Sequence, residues 1–307
     1  MLVGILAALI LIYLLACLCI FFVAFGRQRD LQWENSEALK NTMWEPYAEH
    51  IPKNVQWIRD RGAQDIQIQS FDGLTLRGKW LPCDNARATI VVVHGYRGSF
   101  VSDFGMVLPF YRSLGFNILM LRHRAHGESG GKYITFGNLE HRDLISWIQY
   151  HNRTLGDFPV FISGISMGAS TVMFAAGKGL PENVRGVTAD SGFTSAWDII
   201  GKVIKDRTGL SMPFLLPGIN LWCRLIGKFD MKGCRTEELL PNIKVPILMI
   251  HGEADDLVPC EMSLKSFAAC AGEKTLITIS GAGHGTGYLV DPETVRSALL
   301  KFFDAHL

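Results

Sequence analysis

The sequence predicts an α/β fold: a mostly parallel sheet flanked by helices, preceded by an N-terminal transmembrane helix. Three observations carry this. Residues 1–26 contain no charged side chain. From Gln64 onward, short apolar runs take turns with stretches of helical period. Several of those runs, such as Ile90-Val91-Val92-Val93, do not alternate apolar with polar residues. Such strands are buried on both faces, which requires a parallel sheet between two helix layers.

Composition narrows the class further. The 307 residues are enough for one large domain or two small ones. With 30 Lys+Arg against 29 Asp+Glu, binding to nucleic acid through bulk charge is excluded. At 48% hydrophobic and 19% charged residues, the chain is not disordered. The seven cysteines (Cys17, Cys19, Cys83, Cys223, Cys234, Cys260 and Cys270) show no CxxC pair and no Cys/His ligand spacing. Neither a metal site nor a disulfide framework is expected, and nothing suggests a cofactor.

The first element, Leu2 to Phe25, is nearly all Leu, Ile, Val, Ala and Phe, and about 20 such residues cross a bilayer. No Lys or Arg precedes it, it is longer than a signal-peptide core, and Ala24-Phe25-Gly26 is a poor cleavage site. An uncleaved, single-pass anchor over residues 1–26 in the cell membrane is therefore expected, with the remainder separable as a soluble, active domain. Arg27 and Arg29 follow the helix, and the positive-inside rule then puts the domain in the cytoplasm. Residues 27–63 read as a helical linker. Trp33 and Trp44 in it suit either the membrane interface or packing on the domain.

From residue 64 to 307 the chain reads as the main domain. Ile66 and Ile68, then Leu74 and Leu76, alternate around Asp72-Gly73 and predict a hairpin. Strands are predicted over Thr89–His94, Phe116–Leu121, Pro159–Ser163, Val184–Ala189, Val245–Ile250 and Thr275–Ile279. Helices are predicted over Asp103–Leu114, Asn138–His151, Met167–Lys178, Met262–Ala271 and Pro292–Ala305. Residues 193–240 contain no strand pattern but are rich in Leu, Ile, Phe and Trp, and read as a helical cap inserted between two strands.

Gly164-Ile165-Ser166-Met167-Gly168 fits G-x-S-x-G, and so does Gly127-Glu128-Ser129-Gly130-Gly131. Context separates them. Ser166 lies between a predicted buried strand and a predicted helix, as a nucleophile elbow requires. Ser129 is followed by Gly and Lys and reads as a loop serine. A serine hydroxyl needs a base. Of the histidines, His284 follows the last strand, at the sheet end where open α/β sheets carry their sites. His94, His126 and His251 read as turn-shaping residues, and His50, His141, His151 and His306 as solvated. The histidine needs an acid, and Asp255 and Asp256 both lie past a strand end; spacing does not choose between them.

From Gln64 onward the chain resembles the α/β-hydrolase superfamily. Within it, the chain is similar to bacterial membrane-anchored hydrolases of the esterase and serine-aminopeptidase-like kind. The resemblance rests on Val93-His94-Gly95-Tyr96-Arg97-Gly98-Ser99, His126-Gly127-Glu128-Ser129, the elbow, the His251–Pro259 loop and Gly283-His284. It implies a catalytic triad of Ser166, Asp255 and His284. It also implies an oxyanion hole from the backbone N–H groups of Tyr96 and Met167. Arg122 stands where relatives often carry an Asp, which affects the local turn and not the triad. The expected activity is a serine hydrolase cleaving a carboxylic ester or thioester with an apolar acyl group, the cap lining the pocket. A peptidase uses the same triad and is the alternative; a non-catalytic membrane-bound scaffold is a third. The expected partners are a small-molecule or lipid-like ester and the membrane, with no nucleic acid.

Overall fold

The computed structural model describes residues 1–27, 31–41 and 45–307. The apolar N-terminus forms one helix, α1 (Leu2–Phe25), long and apolar enough to cross a membrane. Two short 3-10 turns come after it, at Ser36–Leu39 and Glu45–Tyr47, then α2 (Ile51–Asp60). Trp33 is buried against Leu39, Ile51 and Ile58, so of its two readings the structure takes packing on the domain. Trp44 and Arg29 lie outside the described residues.

The predicted hairpin forms, with β1 (Gln64–Gln69) antiparallel to β2 (Thr75–Leu81) around Asp72-Gly73. Next come β3 (Ala88–Val93), α3 (Phe100–Asp103), α4 (Leu108–Ser113) and β4 (Phe116–Leu121). The single helix expected over Asp103–Leu114 is thus two short ones. Ser99 caps the first in a reciprocal capping box with Ser102, starting it early. Pro109, lacking an N–H, sits in the first turn of the second, where none is needed.

The remaining elements keep the predicted rhythm with ends shifted by a few residues. They are α5 (Glu140–Tyr150), β5 (Val160–Ile165), α6 (Met167–Lys178) and β6 (Val184–Asp190). The insertion supplies α7 (Ala196–Thr208), α8 (Leu215–Trp222) and α9 (Thr236–Leu239). Then come β7 (Ile247–Gly252), α10 (Cys260–Ala269), β8 (Lys274–Ile279), α11 (Gly287–Val290) and α12 (Pro292–His306). Sheet order is β1-β2-β4-β3-β5-β6-β7-β8, parallel from β4 to β8 with the hairpin at one edge. All six positions of β3, β4 and β7 are buried, as their unalternated sequences require.

Three apolar clusters hold these layers. One lies between the sheet and α2, α4 and α12, and another between the sheet and α5 and α6. The third joins α1 to the insertion: Cys17, Phe21 and Phe25 pack with Leu216, Ile219, Cys223 and Phe229. The end of α1 is also tied to the domain by backbone. Ile134 donates to the Phe25 carbonyl at 2.7 Å, and Arg27 N–H to that of Lys132 at 2.9 Å.

Candidate active site

The C-terminal ends of four parallel strands converge on one point. Ser166 directly follows β5 and begins α6 with φ 56° and ψ −120°, a strained turn for a residue with a side chain. Two glycines make the turn possible. A Cβ on Gly168 would lie 1.9 Å from the Val93 carbonyl oxygen, and one on Gly164 would lie 2.4 Å from that of Gly168. Ser166 N–H donates to the Asp190 carbonyl at 2.8 Å, fastening the turn to the end of β6.

The structure brings Ser166, His284 and Asp255 together. His284 Nε2 lies 2.8 Å from Ser166 Oγ, and its Nδ1 lies 2.8 Å from Asp255 Oδ2. With Nδ1 protonated, Nε2 is free to accept the serine proton. Asp255 Oδ1 accepts from the N–H groups of Leu257 (3.0 Å) and Val258 (2.8 Å). Burial alone would push the Asp255 carboxyl up. The hydrogen bonds from His251 and His284 outweigh it and hold that carboxyl well below the usual range. Asp256 is exposed and lines the cavity beside Ser166 and His284; its backbone carbonyl accepts from Lys202, and among the described residues its carboxylate makes no bond to His284. Of the two aspartates that spacing left open, Asp255 is the one bonded to His284.

Sequence reading missed His251 as a partner of the acid. Its Nε2 donates to the Val258 carbonyl at 2.8 Å and lies 3.2 Å from Asp255 Oδ2, while Nδ1 accepts from Ser263 Oγ at 2.6 Å. Burial opposes its charging, but the bond to Asp255 prevails and its pKa is raised. It meets the same carboxylate oxygen, Oδ2, that His284 Nδ1 does.

Tyr96 follows β3 in the loop over Ser166, and Met167 is the first residue of α6, whose N–H no intrahelical bond uses. The loop is pinned from below. Gly95 N–H donates to Asp103 Oδ2 at 2.6 Å and Arg97 N–H to His126 Nε2 at 3.0 Å. His94 Nε2 accepts from His123 N–H at 3.1 Å. Burial drives His94 well below its ordinary pKa and His123 down to about 3, so both are neutral struts. His141 and His151, expected in solvent, are buried; His151 bonds Thr89 Oγ1 at 2.8 Å.

A cavity of about 420 Å³ opens beside Ser166 and His284 and runs under the Tyr96 loop, between the sheet and α2, α4 and α12. Its walls include Ile51, Met106, Val107, Leu289 and Leu299, and its floor carries Asp103 and Asp190. Burial raises both carboxyls to about 6; hydrogen bonds from Ser102 and Gly95 to Asp103, and from Ser191 to Asp190, only partly offset it. Neither aspartate carries a sequence signal that distinguishes it from a loop carboxylate.

No residue of 193–240 lines this cavity, contrary to the expectation that the cap would form the pocket. The reason is a competing partner. The cap's apolar residues are taken up by α1, and Phe214 is 60% exposed on the outer side.

A family model described as the alpha/beta hydrolase fold matches residues 88–226. The chain has the α/β-hydrolase fold. Among its relatives is the uncharacterized protein YqkD of Bacillus subtilis, 26% identical over 238 residues, 77% of this chain and 78% of that one. The monoglyceride lipase of Rattus norvegicus is 24% identical over 267 residues, 76% and 86% of the two chains. Of solved structures, an esterase of Pyrococcus furiosus superposes with TM-score 0.67 at 24% identity, over 81% of this chain and 94% of that one. The fold, with its esterase and lipase neighbours, supports a hydrolase.

Proposed function

We propose that the chain is a membrane-anchored bacterial serine hydrolase that cleaves a carboxylic ester or thioester with an apolar acyl group through an acyl-enzyme. The observation that carries this reading is the unbroken hydrogen-bond chain Asp255–His284–Ser166, with both links at 2.8 Å. Ser166 Oγ attacks the carbonyl carbon as His284 Nε2 takes its proton. Asp255 holds the Nδ1 proton and stabilises the imidazolium. The N–H groups of Tyr96 and Met167 hold the oxyanion. His284 then protonates the departing alcohol or thiol, and a water activated the same way releases the acid.

The apolar walls of the cavity support an acyl chain lying under the oxyanion loop instead of beneath the cap. One buried methylene is worth about 0.8 kcal/mol, so each added carbon should raise kcat/KM about fourfold until the cavity fills. The test is fluorophosphonate labelling, then p-nitrophenyl esters from acetate to decanoate, with and without Met106→Ser and Leu289→Ser in the wall. Absence of label on Ser166 removes the serine mechanism. A flat chain-length profile untouched by the wall substitutions removes the apolar acyl group.

Asp103 and Asp190 favour a second reading, in which the substrate carries an amine and the bond is a peptide. Faster turnover of aminoacyl p-nitroanilides than of the esters would establish it. In both readings α1 stays uncleaved in the cell membrane with the domain on the cytoplasmic side, which protease protection of sealed vesicles tests.

A further inference from the structure

The helix α1 does not stand free of the domain. Tyr13 Oη donates to the Phe214 carbonyl at 2.7 Å, and Trp222 Nε1 to that of Leu14 at 3.0 Å. Cys17 Sγ lies 3.7 Å from the Leu215 carbonyl. The two helices approach closely at Gly218, where a Cβ would lie 2.5 Å from Tyr13 Oη and 2.6 Å from Cys17 Sγ. From Tyr13 to Phe25, one face of α1 is therefore packed on the cap. Only Leu2 to Ile12 is exposed all round.

That division leaves α1 short. Its exposed part rises about 16 Å at 1.5 Å per residue. A bilayer's hydrocarbon core is about 30 Å thick. The remaining depth is available only if the cap beside Tyr13 and Leu14 enters the lipid with the helix. The cap's outer surface has the chemistry for that. Leu210, Phe214, Leu221 and Leu225 are exposed on it, and Leu15, Phe22 and Val23 are exposed on α1, the helix packed against it. Lys205, Arg207 and Lys228 are exposed on the cap as well, while Arg224 is paired with Asp230 and Lys202 with Asp206. Exposed apolar tips with a basic rim are the signature of an element lying about 5–10 Å deep at an anionic bilayer surface. Seated so, the cap adds that depth to the 16 Å or so of free helix and nearly completes the crossing.

We propose that the outer face of the cap, Leu210 to Leu225, is a bilayer-seating surface that enters the headgroup and acyl boundary of an anionic leaflet together with α1. The cap is then a membrane-docking element and not a substrate lid. The active-site loop comes to the membrane with it, since Tyr96 Oη donates to the Ala24 carbonyl at 2.7 Å and Arg97 reaches that of Val23. The inference rests on the membrane-anchoring part of the proposed function and on none of its chemistry.

The test places a dansyl-bearing non-canonical residue at Leu6, at Leu225 or at Lys301 of full-length protein. The protein is reconstituted in phosphatidylcholine–phosphatidylglycerol vesicles. Leu225 is exposed, so the probe leaves packing intact, and Leu221 is the second position should expression fail. Probes at Leu6 and Leu225 are expected to be blue-shifted, quenched by lipid brominated near the acyl carbonyls and shielded from aqueous iodide. The probe at Lys301 should show the reverse. Iodide quenching at both Leu225 and Leu221, with Leu6 quenched only by bromolipid, overturns the seating surface while leaving α1 as an anchor. Iodide quenching at Leu6 as well overturns the anchor itself.

Discussion

Ser166 and Ser129 stand in the same five-residue pattern and end in opposite chemical states. Ser166 sits between a buried strand and a helix with a strained backbone, its hydroxyl 2.8 Å from a histidine and open to a cavity. Ser129 is fully buried, and its hydroxyl is spent: it accepts from Arg77 N–H at 2.9 Å and donates to the Arg122 carbonyl at 3.0 Å. Around Ser166 lie groups that cost stability, namely a positive φ and two carboxylates in a poorly hydrated floor. The turn around Ser129 holds the end of α1 by accepting from Arg27 at the carbonyls of Gly127, Ser129 (2.6 Å) and Gly131 (3.2 Å). The pattern alone does not make a nucleophile. The strand before it and the helix after it decide whether the hydroxyl meets a base or a backbone.

The sharpest way to break this contrast is substitution of the two serines. Ser166→Ala should lower kcat for p-nitrophenyl esters by a factor on the order of 10⁶ while the protein remains folded. Ser129→Ala should leave kcat within a few-fold. A dead Ser129→Ala with an active Ser166→Ala would reverse the assignment.

Next in size is the pair of adjacent aspartates. Asp255→Asn presents an amide to His284 Nδ1 and favours the wrong imidazole tautomer, a change that costs about 10⁴ in kcat in such triads. Asp256→Asn should cost little, since that exposed carboxylate makes no bond to His284 among the described residues. Equal small losses, measured as kcat at pH 8, would move the acid elsewhere.

The cost stored at the Ser166 end is readable as a pH dependence. Asp103 and Asp190 titrate at about 6 in the fold against 3.8 for an ordinary aspartate. As pH rises, the unfolded chain loses those protons first, so stability is full below pH 3.8 and is lost as pH passes 6. A carboxyl raised by about two pH units costs about 3 kcal/mol once ionised in both states. Asp255 has the opposite sign, its contribution being lost only in strong acid. Urea unfolding at pH 5 and pH 8 should show a smaller loss for Asp103→Asn than for the parent. An unchanged difference would mean that this carboxylate is not strained.

Much of the site was legible because strand, loop and helix leave a local signature. Buried strands read as unbroken apolar runs, and the residues after them fall at the same sheet end, which delivered Ser166 and His284. Asp255 was legible only through resemblance, because what separates it from Asp256 is a set of contacts made by the folded loop. The pairing of α1 with the cap was not legible at all. An apolar residue such as Cys17 or Phe21 looks the same whether it meets lipid or protein, and its partners lie some 200 residues away. The cavity was hidden for a related reason: its walls come from the linker helix α2 as well as from α4 and α12, and no single segment carries it.

The smallest effects belong to the Ser129 end and test whether it is structural. Ser129→Ala leaves the Arg77 N–H and the Arg122 carbonyl without their hydroxyl partner in a buried turn, a loss of about 1–3 kcal/mol. Arg27→Ala removes the guanidinium that the same turn holds, but its site is partly exposed, and hydrogen bonds to a charged group there should be worth about 1 kcal/mol. Because the two groups meet in one turn, their effects should not add. A double-mutant cycle by urea unfolding in detergent should give a coupling of about 0.5 kcal/mol or more. If both single variants unfold like the parent, the turn at 127–131 is not what fastens α1. The helix must then be held by its contacts with the cap alone, and Gly218→Leu, which drives α8 away from Tyr13, should release it where Arg27→Ala does not.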